Sequence, residues 1–315
     1  MTSVFTPDRP FRLGTRRSPL ALAQANMAAA ALMAAHGWGE GSVELVPLVA
    51  SGDKVQDRAL AEIGGKALWT RELDAALKGG RIDAAVHSMK DVETIRPADL
   101  LIAAILPRAD ARDRLIGASS IDALPRGARV GTASPRRAAQ LLSLRPDLNI
   151  QLIRGNVGTR LAKIDRGEAD ATMLAAAGLD RLDMGGIGVA VPESVMLPAP
   201  AQGAIGIETL ESHTDARAAL AAIDDAACHA CVTAERALLY ALGADCHSPV
   251  AAHAVMKDGR IHMTAQILTV DGSDQQRADS LFAEATGPAP ASLAAELLQG
   301  ASPPLAALFA GASPS

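Results

Sequence analysis

The sequence predicts an α/β chain: two lobes of related topology, then a smaller α+β domain with a three-stranded antiparallel sheet. Three observations predict it. Arg12-Leu13-Gly14-Thr15-Arg16-Arg17-Ser18-Pro19 is echoed by Arg129-Val130-Gly131-Thr132-Ala133-Ser134-Pro135, each reading as a strand, a Gly-Thr pair and a Ser-Pro helix start. In the same order, Arg71 through Gly80 to Ile82-Asp83-Ala84 is echoed by Arg160 through Gly167 to Ala169-Asp170-Ala171. Two echoes in one order mark an internal repeat. From Pro249 onward the apolar period changes to two, and Lys257-Asp258-Gly259 and Asp271-Gly272-Ser273 punctuate it as turns, which is the pattern of an antiparallel meander.

Taken in order, residues 1–10 read as a leader and 11–15 as a strand. Ser18 is a helix N-cap and Pro19 suits the first helical position, so a helix runs to His36 and ends at Gly37. Residues 43–49 form a second strand and 53–63 a polar, irregular stretch. Gly64-Gly65-Lys66 leads into a helix over 67–78. The apolar run 82–86 reads as a strand buried on both faces. His87-Ser88-Met89-Lys90-Asp91-Val92 follows at its carboxyl end, where open α/β sheets bind ligands. Another buried run covers 101–106, and a charged connection covers 108–114. The second lobe then repeats the plan, with strands at 129–132, 150–154 and 171–175 and a turn at 155–158 into a helix. A proline-rich crossing at 192–200 leads to a strand at 204–208 that returns to the first lobe. A long helix over 224–242 precedes strands at 250–256, 261–270 and 278–285 and a covering helix at 291–298. The domains expected are 1–106 with 200–222, 107–199, and 223–315.

Composition narrows the function. The chain has 315 residues, 49% hydrophobic and 21% charged, as a soluble globular protein does. Aromatics make up 2% and the net charge is −5, which argues against a nucleic-acid or membrane-surface partner. Three cysteines do not make a disulfide framework, so a reducing cytoplasm is expected. Arg16-Arg17 before an alanine-rich run mimics a twin-arginine export signal, but Pro19, Gln24 and Asn26 interrupt that run and a strand precedes it. No apolar run is long and charge-free enough to span a membrane.

Lys90 and Asp91 place a cation beside a carboxylate at a strand end, which suits a ligand bearing both acid and N–H groups. Both Ser-Pro helix starts offer unpaired N–H groups to an anion. Arg16, Arg17, Arg136, Arg137, Arg154, Arg160 and Arg181 cluster at strand ends and helix starts, and guanidinium forks bind carboxylates in pairs. A ligand with several carboxylates or phosphates is therefore expected. Neither a Walker nor a dinucleotide glycine motif is present, so nucleotide is not favoured. Cys246 lies in a loop between Gly243 and Pro249. Such a cysteine serves as a nucleophile or covalent anchor where its thiolate is stabilised, and as an inert hydrophobe where it is buried. A zinc reading of Cys228, His229, Cys231, Cys246 and His247 fails because Cys228 and Cys231 fall on a continuous helix, so no metal is expected.

Thr15-Arg16-Arg17-Ser18-Pro19-Leu20-Ala21-Leu22, His87 to Val92, Gly131 to Arg137, Arg154-Gly155-Asn156-Val157-Gly158-Thr159-Arg160 and Cys246-His247-Ser248-Pro249-Val250 resemble, in order and spacing, the hydroxymethylbilane synthase (porphobilinogen deaminase) family. The resemblance covers nearly the whole chain. It implies two lobes like those of periplasmic binding proteins around a central cleft, plus a small C-terminal domain. It implies head-to-tail condensation of four porphobilinogen molecules, with loss of ammonia, into hydroxymethylbilane. The cofactor implied is a dipyrromethane primer held by a thioether to Cys246. Asp91 is implied as the catalytic carboxylate, bonding pyrrole N–H groups and stabilising the cation formed as ammonia leaves. Lys90, Ser134, Arg136 and Arg137 are implied to bind cofactor carboxylates. Arg16, Ser18, Arg154, Arg160 and Arg181 are implied to bind substrate or the growing chain, and Lys66 and Trp69 to belong to a mobile loop. The family is typically monomeric.

Three departures from the family pattern stand out. Ala244-Asp245 stand where two glycines are usual before the cysteine, Ala201 stands where a glycine is common, and Glu62 stands where many members carry a basic residue. A second reading of a different class is a non-catalytic two-lobe binding protein for a polycarboxylate anion. It accounts for the lobes and the arginines but not for Asp91 and Cys246 together.

Overall fold

The computed structural model describes residues 5–49, 70–245 and 248–309. In chain order these form β1 (Phe11–Arg16), α1 (Pro19–His36), β2 (Val43–Leu48), α2 (Arg71–Lys78), β3 (Ala84–Ser88) and β4 (Leu100–Ile105). Next come β5 (Asp113–Ile116), β6 (Arg129–Gly131), α3 (Pro135–Leu144), β7 (Asn149–Gln151), α4 (Val157–Asp165), β8 (Ala171–Ala175), α5 (Ala176–Asp180) and β9 (Val189–Ala190). The chain continues with β10 (Ile205–Leu210), α6 (Thr214–Ala221), α7 (Ala226–Leu242), β11 (Val250–Lys257), β12 (Arg260–Leu268), β13 (Gln275–Phe282), α8 (Pro288–Gly300) and α9 (Pro303–Ala307). The fold divides into two compact units, one holding described residues before 110 and 204–229, the other 110–203 and those from 230 onward.

The internal repeat is visible in the sheets. The first unit carries the order β2-β1-β3-β10-β4 and the second β7-β6-β8-β5-β9. In each, three parallel strands are followed by an antiparallel one, β10 beside β3 and β5 beside β8. The two sequence echoes acquire physical causes. Asp83 accepts the backbone N–H of Arg12 at 2.8 Å and ion-pairs with its guanidinium, and Asp170 does the same for Arg129 at 2.7 Å. The pairs tie β1 to the approach to β3 and β6 to the approach to β8. The glycine of each Gly-Thr pair sits at a close approach: a Cβ on Gly14 would lie 2.4 Å from Ile82 Cδ1, and one on Gly131 2.3 Å from Ile153 Cδ1.

Each sheet is buried by its helices. Ala21, Ala25, Ala28, Ala29 and Leu32 form the buried stripe of α1, and their small side chains bring the helix close over Leu13, Ala84 and Val86. Leu73, Ala76 and Leu77 of α2 cover Ile82 and Ala85 on the opposite face. In the second unit Leu115, Val130, Leu141 and Met173 centre one core. Leu238, Ile261, Met263, Ile267 and Leu293 centre another, around the antiparallel sheet β11-β12-β13.

Several expectations shift. The strand read at 82–86 runs over Ala84–Ser88, which places His87 and Ser88 inside the sheet rather than beyond it. The connection read at 108–114 contains the start of β5. Its charged residues disguised a strand, because buried Asp113 is neutralised by partners far along the chain. The last meander strand lies three residues earlier than expected, at Gln275–Phe282.

Two departures from the family pattern resolve differently. Gly243 takes the left-handed backbone (φ 62°), whereas Ala244 and Asp245 do not, so Ala244 sits without strain and its methyl joins the core at 5% exposure. Ala201 does take it, with φ 60°, a conformation that costs a residue bearing a Cβ about 1 kcal/mol. The buried Glu235 carboxylate accepts its N–H and holds it there. Ala201→Gly should therefore raise the unfolding free energy by about 0.5–1 kcal/mol in chemical denaturation, since the native backbone is one glycine adopts freely. A loss of stability would show that the Ala201 methyl, 2% exposed, contributes more than its backbone costs.

Candidate active site

In the first unit, β1 ends at Arg16 and Ser18 caps α1, its Oγ accepting the Ala21 N–H at 3.3 Å. Beside it β3 ends at Ser88, and a single 3₁₀ turn over Met89–Asp91 carries the chain out of the sheet. The turn is anchored by the Met89 N–H on Ala204 O at 3.1 Å and by burial of Met89 to 1%. Lys90 and Asp91 are thereby presented at the strand end, and the Asp91 carboxylate is exposed. A pocket opens there, lined by Arg16, Ser18, Gln24, His87, Ser88 and Asp91 among others. Gln24 Nε2 donates to Ser88 Oγ at 2.8 Å, which ties the α1 wall to the β3 wall.

Behind this pocket lies a buried charged cluster that motif reading did not identify. Glu208 of β10, fully buried, accepts from His87 Nε2 at 3.1 Å and from Arg96 Nε at 2.9 Å and Nη2 at 2.8 Å. Arg96 also bonds Asp74 at 2.5 Å, Glu93 at 2.7 Å and the Thr70 hydroxyl at 3.0 Å. The signal available in the sequence was a lone carboxylate in the apolar strand Ile205–Leu210. Burial pushes the Glu208 carboxyl up, but the bonds and charges of His87 and Arg96 outweigh it and hold the group at about 2. A carboxyl lowered on folding stabilises fully above its unfolded value and loses that contribution as the pH falls through its folded one. Urea melts at a series of pH values should therefore show the wild type losing stability between about pH 4.5 and about pH 2 more steeply than Glu208→Gln. Parallel profiles would place that loss on other carboxyls.

In the second unit, Ser134 caps α3, its Oγ accepting the Arg137 N–H at 3.4 Å. Arg136 and Arg137 do not extend from this helix start as open guanidiniums. Both are buried against β5, where Arg136 Nη2 and Arg137 Nη2 bond Asp113 at 2.8 and 2.7 Å. Arg136 also donates to Leu197 O and Gln140, and Arg137 to Met173 O. Both guanidiniums thus share the inward-facing carboxylate of Asp113 on β5. Asp113 additionally accepts from Gln202 at 2.8 Å.

The remaining arginines sit on loops and helix starts. Gly155, at φ 117°, makes the turn into α4, and a Cβ there would lie 2.7 Å from Thr159 Cγ2. Asn156 caps the helix through the Thr159 N–H at 2.8 Å, and Arg160 Nε donates to Gly155 O at 2.9 Å. Arg154 and Arg160 are both half-buried. Arg181, at the end of α5, donates to Gly203 O at 2.6 Å, while its buried Nε has no hydrogen-bond partner among the described residues. Burial brings its guanidinium down to about 10, which leaves it charged at neutral pH. Cys246, Lys66 and Trp69 lie outside the described residues.

These groups fit a carboxylate-rich pyrrole cofactor. In the first unit a serine-capped helix start suits an acidic side chain and the exposed Asp91 carboxylate suits pyrrole N–H groups; in the second, a serine-capped start and half-buried arginines suit acidic side chains. Among the described residues no three His, Cys, Asp or Glu side chains are grouped to hold a metal ion. No helix among them is long and apolar enough to cross a membrane.

Comparison with known proteins agrees with this chemistry. Residues 11–218 match the family model "porphobilinogen deaminase, dipyromethane cofactor binding domain", and residues 229–299 match "porphobilinogen deaminase, C-terminal domain". The porphobilinogen deaminase of Sphingopyxis alaskensis is 56% identical over 98% of this chain and 100% of its own. That of Paracoccus denitrificans is 46% identical over 96% and 98%. Among solved structures, the periplasmic aliphatic sulphonate binding protein SsuA from Escherichia coli aligns with 73% of this chain and 70% of its own, at 15% identity and a TM-score of 0.38. Matched along nearly its whole length, the chain belongs to the porphobilinogen deaminase family, the hydroxymethylbilane synthases, which are transferases of tetrapyrrole biosynthesis with a dipyrromethane cofactor.

Proposed function

We propose that this chain condenses four porphobilinogen molecules head to tail, with loss of ammonia, into hydroxymethylbilane. The observation that carries the reading is the pocket at the end of β3, where Asp91 faces open space beside Arg16 and the capped start of α1. Ammonia leaving the substrate's protonated aminomethyl group takes the C–N electron pair and leaves a cation delocalised over the pyrrole. An exposed carboxylate held on a rigid turn stabilises that cation and accepts the pyrrole N–H. Arg16, Ser18, Arg154, Arg160 and Arg181 bind the acetate and propionate groups of substrate and product. The bound dipyrromethane supplies the free pyrrole position from which the chain grows.

Lys90 and Ser134 hold the cofactor's carboxylates, and Cys246 forms the thioether. Arg136 and Arg137 act on those carboxylates through charge: two guanidiniums against the Asp113 carboxylate leave a positive excess at the Ser134 end of α3. Lys66 and Trp69 belong to the mobile loop that the family resemblance implies. The domains are 1–106 with 200–222, 107–199, and 223–315, and the protein works as a monomer in the cytoplasm. Its three cysteines and net charge of −5 support that setting.

Intact mass, measured with and without added porphobilinogen, tests the reading. The expected result is an excess of two linked pyrrole units that grows in single-unit steps. Cys246→Ser should lack that thioether-linked excess. A bare polypeptide mass that stays constant even after reconstitution with porphobilinogen would favour the non-catalytic polycarboxylate binder. A thioether-linked cofactor in Cys246→Ser would rule out that residue as the anchor.

A further inference from the structure

We propose that His87 is the proton acceptor of this site, taking the hydrogen that a pyrrole α-carbon loses when a new unit is joined to it; the assignment rests on the proposed function. Joining two pyrroles through carbon breaks one C–H bond. Its electron pair restores the aromatic ring, and the proton needs a base. Asp91, the exposed carboxylate, is occupied with pyrrole N–H groups and the substrate cation, which leaves the proton without an acceptor unless the pocket holds a second group.

His87 meets the requirement geometrically. His87 lines the same pocket as Asp91 and Arg16, yet its side chain is only 4% exposed and is held by fully buried Glu208. An ionised carboxylate only accepts hydrogen bonds, so the 3.1 Å contact requires Nε2 to carry the hydrogen. In the neutral ring Nδ1 is then bare, and no hydrogen bond to it is found among the described residues. A carboxylate that fixes one ring nitrogen as donor and so frees the other as acceptor is the arrangement that makes histidine a base in acyl transfer. The Glu208 charge also compensates the charge the ring gains with the proton. Arg96 locks Glu208 through two bonds, so the pair cannot swing away.

Strand register builds the contact. Glu208 lies opposite Ala85, and Gly206 lies opposite His87, so the imidazole and the carboxylate meet as a diagonal pair on one face. Gly206 is required at that place, since a Cβ there would lie 2.1 Å from Met89 Sδ. The turn that presents Asp91 and the strand that carries Glu208 thus meet at one close approach. When the proton moves to Nδ1, the imidazolium hands it to solvent or to the departed ammonia, and the ring returns to its starting tautomer.

The test compares wild type with His87→Gln, using porphobilinogen carrying hydrogen or deuterium at its free α-carbon. Wild-type turnover should show an isotope effect near one. His87→Gln should turn over about 10²–10³-fold more slowly, with an isotope effect of about 3 or more, because proton removal then limits the rate. A merely structural role would slow turnover with no isotope effect, and that outcome, or turnover within threefold of wild type, overturns the proposal. Near-UV circular dichroism checks that the variant is folded. Independently of activity, ¹⁵N NMR of the cofactor-free chain should show His87 protonated at Nε2 and bare at Nδ1, with Glu208→Gln mixing the two forms. The opposite tautomer in wild type would also overturn it. Failure of wild type to consume porphobilinogen would strike the proposed function instead, and the tautomer measurement would still decide the His87 geometry.

Discussion

Asp91→Asn should fold as the wild type does and lose nearly all turnover, with kcat down about 10²–10³-fold. The fold should survive because no hydrogen bond or ion pair among the described residues uses the carboxylate. The 3₁₀ turn is held by the Val92 N–H on Met89 O at 3.2 Å, by the Met89 N–H on Ala204 O at 3.1 Å, and by burial of Met89 and Val92, while Asp91 itself is exposed. Asparagine has the same shape and still offers a carbonyl oxygen to a pyrrole N–H. What it lacks is the charge, and that charge matters most when ammonia departs and the pyrrole becomes cationic. An interaction made chiefly in the transition state lowers kcat and leaves KM nearly unchanged. Initial rates of porphobilinogen consumption, together with thermal unfolding, check both halves of the expectation. Full activity in a normally folded Asp91→Asn would remove the residue from the chemistry, and a raised KM with unchanged kcat would recast it as a binding group.

Much of this site was legible in the sequence, because the parts that announce themselves are local. Ser18-Pro19 and Ser134-Pro135 set helix starts through capping that needs only neighbouring residues. The Gly-Thr echo and the two aspartates at 83 and 170 recur because β1 and β6 are each tied in the same way to the parallel strand beside them. What could not be read is long-range pairing. Asp113 looked like part of a charged connection, since its partners Arg136, Arg137 and Gln202 come 23, 24 and 89 residues later. Glu208 and His87 are 121 residues apart and meet only because β10 runs antiparallel beside β3. For the same reason the pairing of Arg136 and Arg137 with Asp113 is not legible locally: nothing beside a helix-start guanidinium tells that a buried carboxylate will face it. Ala201 was noted as a replacement for glycine, and the left-handed backbone found there explains why glycine is common at that position.

The inward turn of those two arginines makes Asp113 the residue whose loss should cost most in stability. Asp113 is 1% exposed, and its two oxygens receive Arg136, Arg137 and Gln202. Burial pushes its carboxyl up, but the attraction of Arg136 and Arg137 outweighs this and holds it well below the usual carboxylate range. Removing one partner of a buried ion pair costs about 3–5 kcal/mol, because the remaining charge keeps its desolvation penalty without compensation. Here two guanidiniums would be left, with Arg136 Nε already lacking a hydrogen-bond partner among the described residues. Asp113→Ala should therefore lower the unfolding free energy by at least about 3–5 kcal/mol in chemical denaturation. Asp113→Asn, which keeps the acceptor oxygen but not the charge, should fall between it and wild type. Since the carboxyl is lowered on folding, its contribution is complete above the unfolded value and survives well into acid, so the gap between wild type and Asp113→Ala should persist at pH 4. The variants also separate two roles for the arginines. If Arg136 and Arg137 serve the cofactor through the charge they concentrate at the start of α3, then Asp113→Asn, made at a temperature where it remains folded, should bind the carboxylate-rich primer no more weakly than wild type while being less stable. If primer binding is lost along with stability, the buried pairing instead shapes the Ser134 helix start itself, and the arginines act as its scaffold.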